Sequence, residues 1–204
     1  MLFRSANHGR WLVRMEDLDP PREPPGAAAQ ILKQLTQLCL VWDGEVLYQS
    51  QRLENYAQAL QELQNSDLCF HCDCTRSKIK ASGPIYDGTC RHRTPPPAHG
   101  YAVRIKTRNT LIEFEDLVQG VYGQNLGTEI GDFVILRKDK LFAYQLAVVV
   151  DDEYQGITHV VRGFDLLDST PRQVYLQGLL NYSTPRYGHI PVIVNEKGRS
   201  EERR

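Results

Sequence analysis

A run of about eighteen apolar residues, the length a helix needs to cross a bilayer, is missing from this sequence. The opening Met1-Leu-Phe-Arg-Ser-Ala also lacks the apolar core of a secretory leader. Charge of one sign is not in excess: 24 Lys and Arg face 25 Asp and Glu, for a formal net charge of −1. That balance excludes a whole-chain basic field for nucleic acid and leaves only local patches. Cysteine is scarce, with five residues at positions 39, 69, 72, 74 and 90. An odd count with such close neighbours argues against a disulfide framework and for a reduced, cytoplasmic setting. A glycine-rich phosphate loop is absent, and no Ser-His-Asp arrangement can be placed.

What is present suits a soluble globular chain: 41% hydrophobic and 24% charged over 204 residues. That length carries one large domain, or one domain with an insertion. Residues 11–15 (Trp-Leu-Val-Arg-Met) read as a short buried strand ending at the acidic Glu16-Asp-Leu-Asp19. Pro20-Pro21 then stops simple continuation. Ala27, Ile31, Leu35 and Leu38 have helical spacing within residues 26–40, and Leu53, Tyr56, Ala57, Leu60 and Leu63 mark a second helix over 51–64. Residues 102–106 alternate as a strand. Residues 132–143 read as a hairpin about Lys138-Asp139-Lys140, leading into the apolar stretch 144–151, with Asp151-Asp152 as a turn. A strand over 156–161, a helix over 166–180 capped near Asp168 or Ser169, and a strand over 190–194 complete the reading. Strands alternating with helices predict an α/β fold with a mainly parallel sheet.

Between 69 and 99 the periodicity collapses, and chemistry takes its place. Phe70-His-Cys-Asp-Cys-Thr-Arg76 and Ile85-Tyr-Asp-Gly-Thr-Cys90 bring three thiols close together in sequence. A segment too poor in apolar residues to hold itself by burial calls for a metal staple, most simply one structural Zn2+. Cys72, Cys74 and Cys90 supply three ligands. The fourth stays open: donor chemistry favours His71 or His92, and Tyr86 is the unusual candidate. Three buried thiols without metal are the plain alternative.

Glu16 emerges at a strand's carboxyl end, where open α/β sheets bind ligands, yet a solvated turn explains it equally well. Tyr144 opening an apolar helix is ordinarily core, and Arg162 before Gly163 is ordinarily a surface ion pair. Arg91, His92 and Arg93 read as a solvated charged loop.

Together these segments resemble the glutamyl-Q tRNA(Asp) synthetase family, a shortened relative of the class I glutamyl-tRNA synthetases. The matching text is Gly9-Arg-Trp-Leu-Val-Arg-Met-Glu-Asp-Leu-Asp-Pro-Pro-Arg22, the Cys72 to Cys90 segment, Phe142-Ala-Tyr-Gln-Leu-Ala-Val-Val-Val-Asp-Asp152, and Gly156-Ile-Thr-His-Val-Val-Arg-Gly-Phe-Asp-Leu166. The resemblance implies a Rossmann-type catalytic domain, shortened at both ends, with a small zinc-binding insertion. It implies activation of L-glutamate with ATP and Mg2+, then transfer to the queuosine base of tRNA(Asp), by a monomer. It makes Glu16, Tyr144 and Arg162 the glutamate pocket, with Glu16 on the ammonium and Arg162 on a carboxylate. It places the zinc ligands on Cys72, Cys74, Tyr86 and Cys90, and leaves Cys39 and Cys69 to packing.

The domain reading follows: 9–68 and 131–197 form the two parts of the catalytic domain, 69–130 the zinc insertion, and 1–8 and 199–204 non-native ends. The family's HIGH-like motif should precede Gly9 and its KMSKS-like loop should follow Lys197-Gly198, and neither is present. Leu2-Phe-Arg-Ser5 and Arg199-Ser-Glu-Glu202 can be encoded by the two strands of one adapter DNA, which motivates the reading of the ends. An inactive fragment is therefore expected. The alternatives are a piece of an ordinary glutamyl-tRNA synthetase and a zinc-stabilised binding module without catalysis.

Overall fold

A computed structural model describes residues 2–81 and 83–192, with side chains from residue 4 onward. The chain divides into two units, Met1–Asn55 and Tyr56–Arg204.

In the first unit, helix α1 (Leu2–Ala6) precedes strand β1 (Arg14–Met15), a 3-10 turn at Pro20–Arg22, helix α2 (Ala27–Gln37) and strand β2 (Leu47–Tyr48). The strand expected over 11–15 pairs only at its last two residues, in parallel with β2. Trp11 is held instead by its backbone N–H on Asp43, at 2.7 Å. The proline pair opens the 3-10 turn because a first-turn proline loses no helical hydrogen bond. No residue of α2 is fully buried, and Ile31 and Leu38 are exposed. Cys39 follows α2 with φ 55° and is exposed, so it is not the packing residue expected.

Helix α3 (Leu53–Asn65) follows the 3-10 turn Gln49–Arg52 and buries Tyr56, Ala59, Leu60 and Leu63. Its buried face starts at Tyr56, so Leu53 and Ala57 of the expected stripe stay outside it. In the second unit, β3 (Cys69–Cys72) leads into α4 (Arg76–Ala81), so the irregular segment carries more regular structure than its periodicity suggested. Next come β4 (Ala102–Ile105), β5 (Leu111–Asp116), β6 (Gly120–Asn125) and a π-helical turn at Leu126–Ile130. The chain continues through β7 (Val134–Leu136), α5 (Tyr144–Gln155), β8 (His159–Gly163), a 3-10 turn at Phe164–Ser169, α6 (Thr170–Leu180) and β9 (Arg186–Ile190). Residues 193–194 of the strand expected over 190–194 lie outside the described residues.

The sheet pattern departs from the expected mainly parallel one. Strands β3, β4 and β7 form an antiparallel sheet in that order. Parallel pairing occurs between β1 and β2 and between β8 and β9. The β5–β6 hairpin was not read from sequence, because its β5 side chains alternate between exposed and half-buried and give a weak apolar signal.

Helix α5 is the core element. Leu146, Ala147, Val148, Val149 and Val150 are all buried, the mark of an interior helix. Its β-branched run would suit a strand, and burial on every face overrides that local preference. Asp151 and Asp152, expected in a turn, lie inside this helix and are buried. Asp151 accepts the Tyr56 hydroxyl at 2.7 Å, which meets its need for a partner. Gly156 ends α5 in the left-handed region (φ 62°), where its N–H closes onto the last carbonyls. At the start of α6, Ser169 occupies the cap position but its hydroxyl accepts from Gln145, and Asp168 accepts from Tyr122 at 2.5 Å.

Candidate functional site

The end of β3 delivers the thiol group. Strand alternation points Cys72 into the interior and His71 to the other face, where it stacks on Tyr101 with ring centroids 3.8 Å apart. The Sγ atoms of Cys72, Cys74 and Cys90 lie within 4.8 Å of one another, and all three are buried. Tyr86 joins them: its hydroxyl is 3.5 Å from Cys72 Sγ and 4.0 Å from Cys74 Sγ, and it accepts the Cys90 backbone N–H at 2.9 Å. Phe70 stacks on Tyr86, Ile79 of α4 packs against the group, and the Arg104 guanidinium lies 4.3 Å over the Tyr86 ring. Among the described residues no histidine belongs to the group. His92 is exposed.

The electrostatics differ from thiol to thiol. Burial opposes ionisation of Cys72, yet hydrogen bonding to Tyr86 and Arg104 outweighs it and draws the thiol down. Burial, with the Cys90 and Cys72 thiols beside it, pushes Cys74 up to about 11. Cys69, three residues before Cys72, is also buried and pushed up to about 11 by that burial. Three buried thiols this close together are a donor set that can hold a metal ion.

Ion pairs clamp the loops around it. Arg91 grips the buried Asp132 with two nitrogens and donates to the Thr107 carbonyl at 3.0 Å. Arg93 pairs with Asp73 at 2.5 Å. Neither is the free solvated charge expected from the sequence. Gly131 (φ 70°) permits the closest approach, since a Cβ there would sit 2.5 Å from Ile85 Cγ2 and 3.3 Å from the Tyr86 backbone. Open cavities of about 570 and 480 Å3 border these loops.

A second constellation forms around Arg162 of β8. Its Nε donates to His189 Nε2 at 3.0 Å and its Nη1 to the Tyr144 hydroxyl at 3.3 Å. Its Nη2 donates to Thr170 Oγ1 at 2.8 Å, Gln173 Oε1 at 2.9 Å and the Leu166 carbonyl at 3.4 Å. The guanidinium is thus half-buried and held by neutral acceptors, not paired on the surface with a carboxylate. Behind it, buried His189 sits on Asp116, with Nδ1 2.6 Å from Oδ2. The other oxygen, Oδ1, accepts the backbone N–H groups of Val118, Gln119 and His189. Burial would raise the Asp116 carboxyl, but these donors outweigh it and hold its pKa at about 2.

Tyr144 and Arg162 are therefore neighbours, brought together by the start of α5 and by β8. Glu16 belongs to the first unit, where it lies 3.7 Å from Arg14 Nε. Next to it, Asp17 accepts the backbone N–H and hydroxyl of Ser50, joining the ends of β1 and β2. Sequence reasoning missed Asp116 and His189. Asp116 carried a weak signal, as an Asp four residues before Gly120 at a hairpin tip, while nothing along the chain connects it to His189.

Comparison with known proteins agrees with this architecture. The family model for tRNA synthetases class I (E and Q), catalytic domain, matches residues 1–204. The chain is 53% identical over 193 residues to a glutamyl-Q tRNA(Asp) synthetase of Pseudomonas entomophila, covering 95% of this chain and 65% of that protein. It is 52% identical to the protein of that name in Thiobacillus denitrificans and 50% identical to that of Neisseria meningitidis serogroup C. The chain thus spans about two thirds of the length of the curated relatives it matches. The fold superposes on a glutamate tRNA ligase of Elizabethkingia meningosepticum, crystallised with its amino acid, with a TM-score of 0.86 at 24% identity over 99% of this chain and 46% of the ligase. Among the described residues no helix is long and apolar enough to cross a membrane.

Proposed function

Because the chain belongs to the family of class I tRNA synthetase catalytic domains of the E and Q type, we propose that it is part of an enzyme that activates L-glutamate. ATP, with Mg2+, is the co-substrate, and the activated glutamate goes to the queuosine base of tRNA(Asp). The observation that carries this reading is the Arg162–Tyr144 pair. Of the guanidinium's five N–H donors, the bonds to described residues leave the second Nη1–H, on the nitrogen that also donates to the Tyr144 hydroxyl. A cationic N–H donor of this kind suits the carboxylate of an acidic amino acid. Glu16 is assigned to the substrate ammonium. About half-identity to relatives named for this reaction supports the choice of acceptor.

Cys72, Cys74, Cys90 and Tyr86 are assigned to one zinc ion. A tetrahedral zinc with sulfur and oxygen ligands spaces its donor atoms by about 3.5–3.8 Å. The Cys74–Cys90 and Cys72–Tyr86 separations of 3.5 Å fit that spacing. With four protein donors the ion would be structural, bracing residues 69–130 as an insertion between the catalytic stretches 9–68 and 131–197.

The test is glutamate-dependent ATP–pyrophosphate exchange by the protein from the complete gene, followed by transfer of labelled glutamate. Exchange with glutamate but not glutamine, and label on queuosine-bearing tRNA(Asp), is the expected result. Label on the 3′ end of another tRNA would reassign the acceptor. No exchange by a folded, zinc-loaded protein would leave a binding module.

A further inference from the structure

We propose that Asp116 and His189 are a positioning pair for Arg162, setting the rotation of its guanidinium toward an acidic substrate; this rests on the reading of Arg162 as a glutamate residue. Arginine has only donors, so His189 Nε2, at 3.0 Å from Arg162 Nε, must present a lone pair. The proton of the neutral ring is then on Nδ1, where Asp116 Oδ2 accepts it at 2.6 Å. Thr170 agrees: its hydroxyl accepts from Arg162 Nη2 and can donate to His189 Nε2 at 3.2 Å. The carboxylate's hold on one ring nitrogen thereby fixes what the other offers.

The pair is anchored independently of Arg162. Three backbone N–H groups, from the β5–β6 tip and from His189 itself, converge on Asp116 Oδ1. Leu117 donates to the Tyr187 carbonyl at 2.8 Å, joining the hairpin tip to β9. The Tyr187 ring lies parallel to His189 and 5.5 Å from the Arg162 guanidinium carbon. Arg162 Nε is thus placed by β9 and β5, its Nη2 by α6, and its Nη1 is turned to Tyr144. Without the His189 contact the side chain could rotate about its last bonds while remaining in place.

Asp116→Asn isolates the effect. The three backbone donors force the carboxamide oxygen into the Oδ1 position, so its NH2 faces His189 Nδ1. The ring proton must then move to Nε2, where it meets Arg162 Nε–H. The shape is retained and the acceptor is lost. Two-bond 1H–15N NMR of His189, and solvent exchange of Arg162 Nε–H, are read in the protein from its complete gene. The expected unsubstituted protein is protonated on Nδ1 alone, with a slowly exchanging Arg162 Nε–H. In Asp116→Asn the ring pattern inverts and exchange quickens at least about tenfold. An imidazolium or an Nε2–H ring in the unsubstituted protein overturns the proposal, as does unchanged exchange in the variant.

Pyrophosphate exchange supplies the functional arm. Asp116→Asn and His189→Leu should raise the KM for glutamate roughly tenfold, the scale of one lost charge-assisted bond, with the KM for ATP nearly constant. His189→Gln, whose carboxamide oxygen can replace Nε2, should stay within about threefold of the unsubstituted enzyme. If Arg162→Ala raises the KM for glutamate and Asp116→Asn does not, the positioning role fails and the substrate reading stands. If Arg162→Ala leaves that KM unchanged, the substrate reading fails, while the ring-proton measurement still decides the pairing itself.

Discussion

The thiol knot and the Arg162 cradle are built in opposite ways. The knot draws Cys72, Cys74, Tyr86 and Cys90 from one short stretch of chain, and its loops are held by the Arg91–Asp132 and Arg93–Asp73 pairs. The cradle draws Asp116, Tyr144, Arg162, Thr170 and His189 from β5, α5, β8, α6 and β9, with 73 residues separating Asp116 from His189. The knot gathers soft donors of a kind that can hold a metal ion. The cradle carries the Arg162 guanidinium and the Asp116 carboxylate, with the His189 ring between them. A locally built site should fail locally when one of its donors is lost, whereas a cradle built from five elements should change its chemistry before it loses its shape.

The sharpest break of that contrast is Cys90→Ala. It should abolish stoichiometric zinc by elemental analysis and speed amide exchange across 69–105 by about a hundredfold or more, since structural zinc contributes on the order of 10 kcal/mol. Amides of β8 and β9 should keep their protection. Uniform loss of protection in both regions would show that the two sites are not separable.

Arg162→Ala comes next. Removing the guanidinium should weaken glutamate binding by about two orders of magnitude, or roughly 3 kcal/mol, with ATP binding little changed. Equal losses for both ligands would remove Arg162 from the pocket. The melting temperature should move far less than in Cys90→Ala.

A third variant probes the backbone approach that closes the knot. Gly131→Ala places a Cβ against Ile85 and the Tyr86 backbone at positive φ, and should destabilise the folded state by about 1–3 kcal/mol. Chemical denaturation measures this, and a neutral result would mean that the Tyr86 loop yields freely.

The smallest expected effect is acid sensitivity of the cradle. The Asp116 carboxyl has a folded pKa of about 2, below the usual unfolded value of about 3.9. Its contribution is present above pH 4 and is lost as pH falls from about 4 towards 2, a loss of about 2 kcal/mol. Denaturation midpoints from pH 5 to pH 2 should show this slope reduced in Asp116→Asn. An identical slope in both proteins would deny Asp116 that role.

Legibility followed the same divide. The knot could be read along the chain because Cys72-x-Cys74 and Cys90 lie close together and metal chemistry constrains donors at that spacing. Donor chemistry alone left the fourth position open among His71, His92 and Tyr86, with Tyr86 given by the resemblance; strand alternation at β3 and the path of the loop to Cys90 are what bring Tyr86 beside the thiols. Arg162 looked like a surface ion pair, and only the packing of β8 against α6 and β9 surrounds it with neutral acceptors. Asp151 and Asp152 looked like a turn because adjacent carboxylates rarely enter a core, and Tyr56, far away in sequence, supplied the missing partner for Asp151. The β5–β6 hairpin escaped notice because its side chains give only a weak apolar alternation along the chain.

By itself, then, the sequence determined the helices with clear apolar spacing, the metal-type donor cluster and the family to which the chain belongs. These depend on local periodicity and on residue types in close succession. Only the tertiary structure decided that Tyr86 faces the thiols, that Tyr144 meets Arg162, and that an aspartate and a histidine stand behind that arginine. Contacts between strands and helices far apart in the chain leave no periodic trace, because their geometry is set by how whole elements pack and not by the residues between them.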